Sequence, residues 1–323
     1  MTKPLIEIRS LKMYFPIGVS LFKKPRQLKA VDDVSFDLYP GETFGLVGES
    51  GCGKTTVGRT LVRLYTPTSG QILYDGTDIA QLDEKAVMPF RRKMQMIFQD
   101  PYASLNPRMT VSSIIAEPMK LQGVDAAAID ARVRELVERV GLKKDHLNRY
   151  PHEFSGGQRQ RIGIARSLAM QPEFIVCDEP ISALDVSIQA QVINMLEELQ
   201  EQMGMTYLFI SHDLSMVCHI SQRVGVMYLG HMVELATAEE LYSNMQHPYT
   251  QALMSAVPIA DPDLAAQSNR IVLQGDVPQP IDPPPGCPFA SRCRYCQKIC
   301  TEQMPETREI APGHLLACHV AAK

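Results

Sequence analysis

Residues 48–55 read Gly-Glu-Ser-Gly-Cys-Gly-Lys-Thr, and few strings of that length restrict a fold so tightly. The run ahead of it, Phe44-Gly45-Leu46-Val47, is apolar, and the residues behind it open a helical pattern. That is the strand–loop–helix context of a P-loop. Gly48, Gly51 and Gly53 let the backbone wrap around phosphate, with its N–H groups and the helix N-terminus facing the anion. Lys54 is placed to reach the outer phosphates and Thr55 to hold Mg²⁺, while Glu49, Ser50, Cys52 and Thr56 complete the cradle. Alone, the loop identifies only a binder of nucleoside triphosphates.

Bulk properties exclude several other classes. The chain has 323 residues, 45% of them apolar, enough for one large core and a smaller appendage. A net charge of −4 and a pI of about 6.1 give no electrostatic footprint for nucleic acid. The N-terminus, Met1-Thr-Lys-Pro-Leu-Ile-Glu, has no apolar core and does not read as a signal peptide. No run approaches the roughly 18 apolar residues that span a bilayer; Val224–Val233 comes nearest and is broken by Gly225, Gly230 and His231. The expectation is a cytosolic chain whose membrane contact comes through a partner. Of the 8 cysteines, Cys287, Cys293, Cys296, Cys300 and Cys318 crowd the C-terminal end. In a reducing compartment that crowding favours metal over disulfide. Cys52, Cys177 and Cys218 read as packing residues.

Periodicity places strands at Leu5–Ile8, around Val34, Phe36 and Leu38, at 43–47, Gln71–Tyr74 and Met94–Phe98, and a helix over Thr55–Leu64. A loop is expected around Gly18, Lys23, Lys24, Pro25 and Arg26. From about 111 to 169 the pattern turns helical, with Val133, Leu136, Val137 and Val140 at spacings of three and four. Strand and helix then alternate through Phe174–Cys177, Val186–Gln202, Tyr207–Ile210, Leu214–Ile220 and Val224–Tyr228. The fold class expected is α/β: a parallel P-loop core with a helical insertion. Beyond about residue 231 the composition shifts, and the proline-rich stretch 258–288 predicts an extended, irregular tail.

The second informative string is Ser155-Gly156-Gly157-Gln158, followed by Arg159, Gln160 and Arg161. It is a glycine-rich turn opening a helix, a second anion site with no nucleotide-binding strand ahead of it. Beyond both lies Phe174-Ile-Val-Cys-Asp178-Glu179, a buried strand ending in two carboxylates that resembles a Walker B segment. There Asp178 suits Mg²⁺, and Glu179 suits the base that activates a hydrolytic water. Together these strings resemble the ATP-binding cassette family, in which ATP is sandwiched between one subunit's P-loop and the partner's signature motif. The resemblance implies that His212 contacts the γ-phosphate, that Gln99 touches Mg²⁺ or the attacking water, and that Ser182-Ala-Leu-Asp185 crosses the dimer interface. It also implies an aromatic platform for adenine. Met13-Tyr14-Phe15 offers two candidates, of which Phe15 fits the register better. Phe154 stands before the signature serine where the family more often has Leu. The basic residues Arg159, Arg161 and Arg166 lie at helical spacing and read as a solvated or interface face.

Three further strings, Phe98-Gln-Asp-Pro-Tyr-Ala-Ser-Leu-Asn-Pro107, His247-Pro-Tyr-Thr-Gln-Ala-Leu253 and Pro284-Pro-Gly-Cys-Pro-Phe289, resemble the dipeptide/oligopeptide and nickel importer ATPases of bacteria, over essentially the whole chain. The resemblance implies an ATP- and Mg²⁺-dependent ATPase at the cytoplasmic face of the bacterial inner membrane. Its partners would be two integral-membrane permeases, a second homologous ATPase and, indirectly, a substrate-binding protein. Residues 99–150 would grip a permease's coupling helix. A nucleotide-binding domain is expected over 1–230, its helical subdomain at about 100–165, with a small irregular Cys-rich extension over 231–323. Cys287, Cys293, Cys300 and Cys318 match a four-cysteine pattern that in some members holds a [4Fe–4S] cluster. Cys296 adds a Cys-x2-Cys pair that suits Zn²⁺ equally well. Nickel, glutathione and murein-peptide importers share these ATPase motifs. A soluble cassette ATPase acting on DNA or the ribosome is disfavoured by the single cassette and the lack of sustained heptads. An exporter is disfavoured by the lack of a fused membrane domain. A redox-gated ATPase is required by no feature of the sequence.

Overall fold

A computed structural model of the chain describes residues 3–18, 26–257, 270–275 and 277–321. The loop expected at Lys23–Pro25 and the first part of the proline-rich stretch, 258–269, lie outside the described residues. The chain divides into two compact units. The first comprises residues 1–39, 43–81 and 209–323, and the second 40–42 and 82–208.

The first unit opens with β1 (Ile6–Ile17) and β2 (Arg26–Leu38), paired antiparallel from Ile6 opposite Leu38. Along β1, Ile6, Ile8, Leu11 and Met13 are buried while the residues between them are not, the alternation of a sheet with one wet face. β3 (Thr43–Val47) is buried at all five positions. It leads through the P-loop into α1 (Lys54–Leu61). β4 (Ser69–Tyr74) and β5 (Thr77–Asp78) complete an antiparallel sheet of order β2-β1-β4-β5. The helix expected to reach Leu64 stops at Leu61, because Arg63 takes a left-handed φ of 57°. The Arg63 guanidinium donates to the Ile79 and Tyr65 carbonyls, at 2.8 and 3.1 Å.

The second unit holds α2 (Glu84–Lys93), β6 (Met94–Ile97), α3 (Pro101–Ser104), α4 (Val111–Leu121) and α5 (Ala126–Arg139). It continues through α6 (Gly156–Leu168), β7 (Phe174–Asp178) and α7 (Val186–Met203). Thr110, Asp125 and Ser155 cap α4, α5 and α6 through their side-chain oxygens, satisfying N–H groups the helices leave open. The helical stretch expected from 111 to 169 is these three helices, with 3₁₀ turns at Lys144–Asn148 and Pro151–Glu153. β6 and β7 pair in parallel, Met94 opposite Phe174 through Ile97 opposite Cys177.

The chain returns to the first unit within β8 (Thr206–Ser211), followed by α8 (Leu214–Ile220), β9 (Arg223–Tyr228) and β10 (His231–Thr237). Then come α9 (Ala238–Ser243), α10 (Pro248–Ser255), α11 (Lys298–Glu302), β11 (Arg308–Ala311) and β12 (His314–Leu316). β3 and β9 are parallel, but β10 pairs antiparallel with both β9 and β12, and β12 with β11. The core is therefore mixed rather than parallel. The tail after residue 231 is not simply irregular, because two of its short strands extend the sheet. Its link is polar and fully buried. The Glu234 carboxylate accepts from the Gln246 and His247 backbone N–H groups (2.7 and 3.0 Å) and lies 2.9 Å from His314 Nε2. Among the described residues no helix is long and apolar enough to cross a membrane.

Candidate nucleotide site

In the first unit the P-loop leaves β3 with Gly48, Gly51 and Gly53 at φ 153°, 79° and 106°. Gly53 is fixed by space as well as by φ. A Cβ there would lie 2.1 Å from the Ala30 carbonyl oxygen, and one on Gly48 would lie 2.2 Å from that of Met227. No other residue type fits either position. Lys54, buried at the start of α1, donates its ammonium to the carbonyls of Gly48 (2.7 Å) and Glu49 (3.1 Å). Ser50 and Gly51 are exposed at the loop's tip, and Thr55 and Thr56 are half-buried in the first turn of α1. Burial raises the Cys52 thiol above its ordinary range, with Lys54 acting in the opposite sense, so Cys52 packs beneath the loop rather than acting as a nucleophile.

Glu49 faces inward. Its backbone N–H donates to the Tyr249 hydroxyl (2.7 Å), and its carboxylate takes both terminal nitrogens of Arg292, at 2.6 and 3.1 Å. The His247–Leu253 and Pro284–Phe289 strings thereby acquire a location. Tyr249 sits on α10. Phe289 packs its ring 5.1 Å from that of Tyr228 and 5.4 Å from that of Tyr249. Behind them, burial pushes the His247 imidazole down to about 3, and its Nδ1 accepts from the Tyr249 N–H. The motifs marked Glu49 as a cradle residue and gave no role to Tyr249 or Arg292. The sequence signals were that Tyr249 lies within one family string and that Arg292 follows another.

Of the two aromatic candidates, Tyr14 is committed elsewhere: its hydroxyl donates to Asp32 and Lys29 lies over its ring. Phe15 is half-buried, edge-on to Tyr65 with centroids 5.5 Å apart. His212 is exposed just past the end of β8, where Asp213 caps α8.

In the second unit β7 is buried at all five positions and delivers Asp178, 1% exposed, at its carboxyl end. Glu179 follows with a positive φ of 45°, a conformation costing of order 1–3 kcal/mol that persists where surroundings impose it. Because β6 runs parallel to β7, Gln99 emerges at the same edge as Glu179. Gln99 Nε2 donates to Glu179 Oε2 at 2.7 Å. Glu179 also holds the next loop, its carbonyl accepting from the Ser182 hydroxyl at 3.1 Å. Asp185 ends that loop exposed, at the N-cap of α7 but making no side-chain cap bond, and Val186 beside it is 81% exposed.

The signature turn is a capping box. Ser155 Oγ accepts from the Gln158 N–H at 3.4 Å, and Gln158 Oε1 accepts from the Ser155 N–H at 3.1 Å. Gly156 is half-buried; Gly157 is buried against α7, where a Cβ would come within 2.5 Å of Ile188 Cγ2. Phe154 is buried edge-on to His146, so the exchange for Leu is absorbed by packing. The basic run is not a solvated face. Arg159 is buried, donates from Nε to the Pro151 carbonyl (2.6 Å) and stacks 3.7 Å over the Tyr102 ring. Arg166 donates to the Ser104 carbonyl (2.5 Å) and Arg161 to that of Val140 (2.7 Å). These arginines fasten the segment after Gln99 and the turns beside α6, because guanidinium forks satisfy loop carbonyls that regular structure leaves open.

The expected metal centre at Cys287, Cys293, Cys300 and Cys318 is not assembled. Among the described residues no group of three or more His, Cys, Asp or Glu stands where a metal ion could be held. The thiols are neighbours nonetheless. Burial raises Cys287 to about 12, with Cys318, Cys300 and Cys293 adding to the shift. Cys296, the candidate for a zinc pair, is exposed.

A family model described as ABC transporter matches residues 31–182, and one described as oligopeptide/dipeptide transporter, C-terminal region, matches residues 233–300. The oligopeptide transport ATP-binding protein AppF of Bacillus subtilis (strain 168) is 58% identical over 319 residues, covering 98% of this chain and 97% of that protein. OppF of the same organism, also an oligopeptide transport ATP-binding protein, is 54% identical over 323 residues, covering 98% of this chain and 97% of its own length. Among solved structures, the ATP-binding cassette MJ0796, a dimer in a post-hydrolysis state bound to ADP and Pi, matches with a TM-score of 0.65. Its sequence is 25% identical, over 72% of this chain and 98% of that one. An ABC cassette with this P-loop is an ATPase, and the chain belongs to the ATP-binding proteins of the ABC-type oligopeptide/dipeptide transporter family.

Proposed function

We propose that this chain is the ATP-hydrolysing subunit of an importer that takes up dipeptides or oligopeptides through partner permeases. The observation that carries the hydrolytic part is the 2.7 Å hydrogen bond from Gln99 to Glu179. That contact fixes the orientation of the Glu179 side chain at the edge of the sheet, as a general base acting on a bound water requires. In this reading Phe15 stacks on adenine and the backbone of Gly48–Thr56 binds the phosphates. Lys54 exchanges its loop carbonyls for phosphate oxygens. Thr55, Asp178 and Gln99 offer hydroxyl, carboxylate and amide oxygens, a donor set that suits Mg²⁺. When bound, the ion neutralises charge on the transferring phosphoryl group. Glu179 takes the proton of the attacking water, and His212 contacts the γ-phosphate. Ser155, Gly156, Gly157 and Gln158 serve the nucleotide of a partner ATPase, and Asp185 lies in the loop that crosses to it.

Residues 1–230 then act as the nucleotide-binding domain and 231–323 as its extension. Two permeases, one of them gripped by residues 99–150, place the chain at the cytoplasmic face of the membrane, with a substrate-binding protein acting on the far side. The peptide assignment is supported by the oligopeptide transport for which the relatives are named and by the family model over 233–300. A [4Fe–4S] cluster on Cys287, Cys293, Cys300 and Cys318 is a finer reading. The donor chemistry supports it, the described geometry does not preform it, and the iron and acid-labile sulfide content of the purified chain is its test. No step of the ATPase reaction depends on it.

Uptake in a strain lacking this gene tests the proposal, comparing labelled dipeptide, a longer peptide and Ni²⁺. Peptide uptake is expected to be lost, restored by the wild-type chain and not by Lys54→Ala. Normal peptide uptake with loss of Ni²⁺ uptake would move the chain to a different importer.

A further inference from the structure

All three polar groups of Glu49 in the P-loop are occupied, two of them from outside the phosphate cradle. Its N–H donates to Tyr249 Oη (2.7 Å), its carbonyl accepts from Lys54 Nζ (3.1 Å), and its carboxylate is gripped in two-pronged fashion by Arg292. The Arg292 side chain is only 7% exposed and that of Glu49 27%, so the pair is largely withdrawn from water, where such contacts are strongest. Nη1 of Arg292 also lies 3.4 Å from the Tyr228 hydroxyl. Arg292 ends the 3₁₀ turn Ala290–Arg292, which directly follows the buried ring of Phe289. One short turn thus supplies both an aromatic anchor and the guanidinium.

The loop these groups hold would be loose without them. Three glycines at positive φ give a segment with a large conformational entropy to lose. Lys54 restrains it through the Gly48 and Glu49 carbonyls, but the same ammonium is wanted by the phosphates. Once Lys54 turns to nucleotide, the Cys52 N–H still reaches the Glu49 carbonyl within the loop (3.3 Å), and the restraints on Glu49 from outside the loop are Tyr249 and Arg292.

We infer that Arg292 is a positioning residue for the nucleotide. Acting through Glu49, it holds the P-loop in its phosphate-cradling shape, so that the C-terminal segment sets the chain's affinity for ATP. The inference rests on the P-loop being the nucleotide site. If loss of the clamp leaves the cradle formed about one-tenth of the time, the apparent Kd rises about tenfold, by the fraction of binding-competent protein.

The test is binding of a fluorescent ATP analogue with Mg²⁺ to the purified full-length chain, alongside ATP turnover and Tm. Arg292→Ala and Glu49→Gln are each expected to raise Kd about tenfold, with Arg292→Lys between them and wild type; for the two Arg292 variants kcat at saturating ATP should stay within about twofold of wild type. The double variant should match either single variant, since both remove one contact. A lowered Tm with Kd within about twofold of wild type would overturn the inference and leave Arg292 a packing residue. So would a double variant whose loss is the product of the single losses. Should Arg292→Ala fail to fold, Glu49→Gln decides alone, because it leaves the C-terminal segment intact. Lys54→Ala separates the two levels. Loss of binding there upholds the P-loop reading whatever Arg292 does, while wild-type binding would remove that reading and the inference with it.

Discussion

His247 shows how much a single buried side chain does away from the chemistry. It lies 1% exposed at the head of α10, accepting the Tyr249 N–H and donating its own backbone N–H to Glu234. Burial lowers its pKa from 6.5 to about 3, so the folded chain keeps it neutral while the unfolded chain protonates it below its ordinary pKa. The folded value being the lower, this contribution to stability is complete above pH 6.5 and is lost as pH falls toward about 3. The slope is up to about 1.4 kcal/mol per pH unit. Unfolding free energies of wild type and His247→Asn, in which the amide still caps α10, should therefore differ in pH slope between about pH 6 and pH 4, with the variant flatter. Parallel slopes would show that His247 is not held neutral. Single residues were also where the sequence was easiest to read. The glycines, Lys54, Gln99 and Glu179 carry their chemistry in their spacing. Arg292 does not, because its partner lies 243 residues away and an arginine interleaved with cysteines carries no periodic signal.

At the level of elements, legibility followed length and apolar content. β3, β7 and α5 are long or wholly apolar enough for period and composition to fix them. β12 has three residues and β11 four, too few for alternation to register. Their place is set by pairing with β10 and by the buried Glu234–His314 contact. After the P-loop the apolar pattern runs on to Leu64 while the helix ends at Leu61, because Arg63 turns the backbone left-handed. Helical spacing alone gives the arginines of α6 a solvated or interface face, because it says nothing of the loop carbonyls that Pro151, Ser104 and Val140 turn toward them. The segment bearing the C-terminal cysteines gathers its thiols without forming a metal cage. If a cluster does assemble on them, anaerobic purification yields brown protein with stoichiometric iron and labile sulfide, both lost in Cys293→Ser. Colourless, iron-free protein that still hydrolyses ATP returns these cysteines to a packing role.

For the molecule as a whole, the account joins two demands. One unit supplies a phosphate loop braced by Tyr249 and Arg292. The other supplies a strained glutamate held by Gln99 and a capped signature helix. Family membership explains why both are present in one chain; in the reading proposed above, Glu179 is the group on which turnover depends. Glu179→Gln preserves size and hydrogen bonding and removes only the base. With Mg²⁺ and ATP, we expect turnover by the purified variant to fall by at least about a hundredfold, the scale of a lost general base. Nucleotide affinity should be unchanged, and the nucleotide retained by the protein should be ATP rather than ADP. Wild-type turnover in Glu179→Gln would contradict the account at its centre.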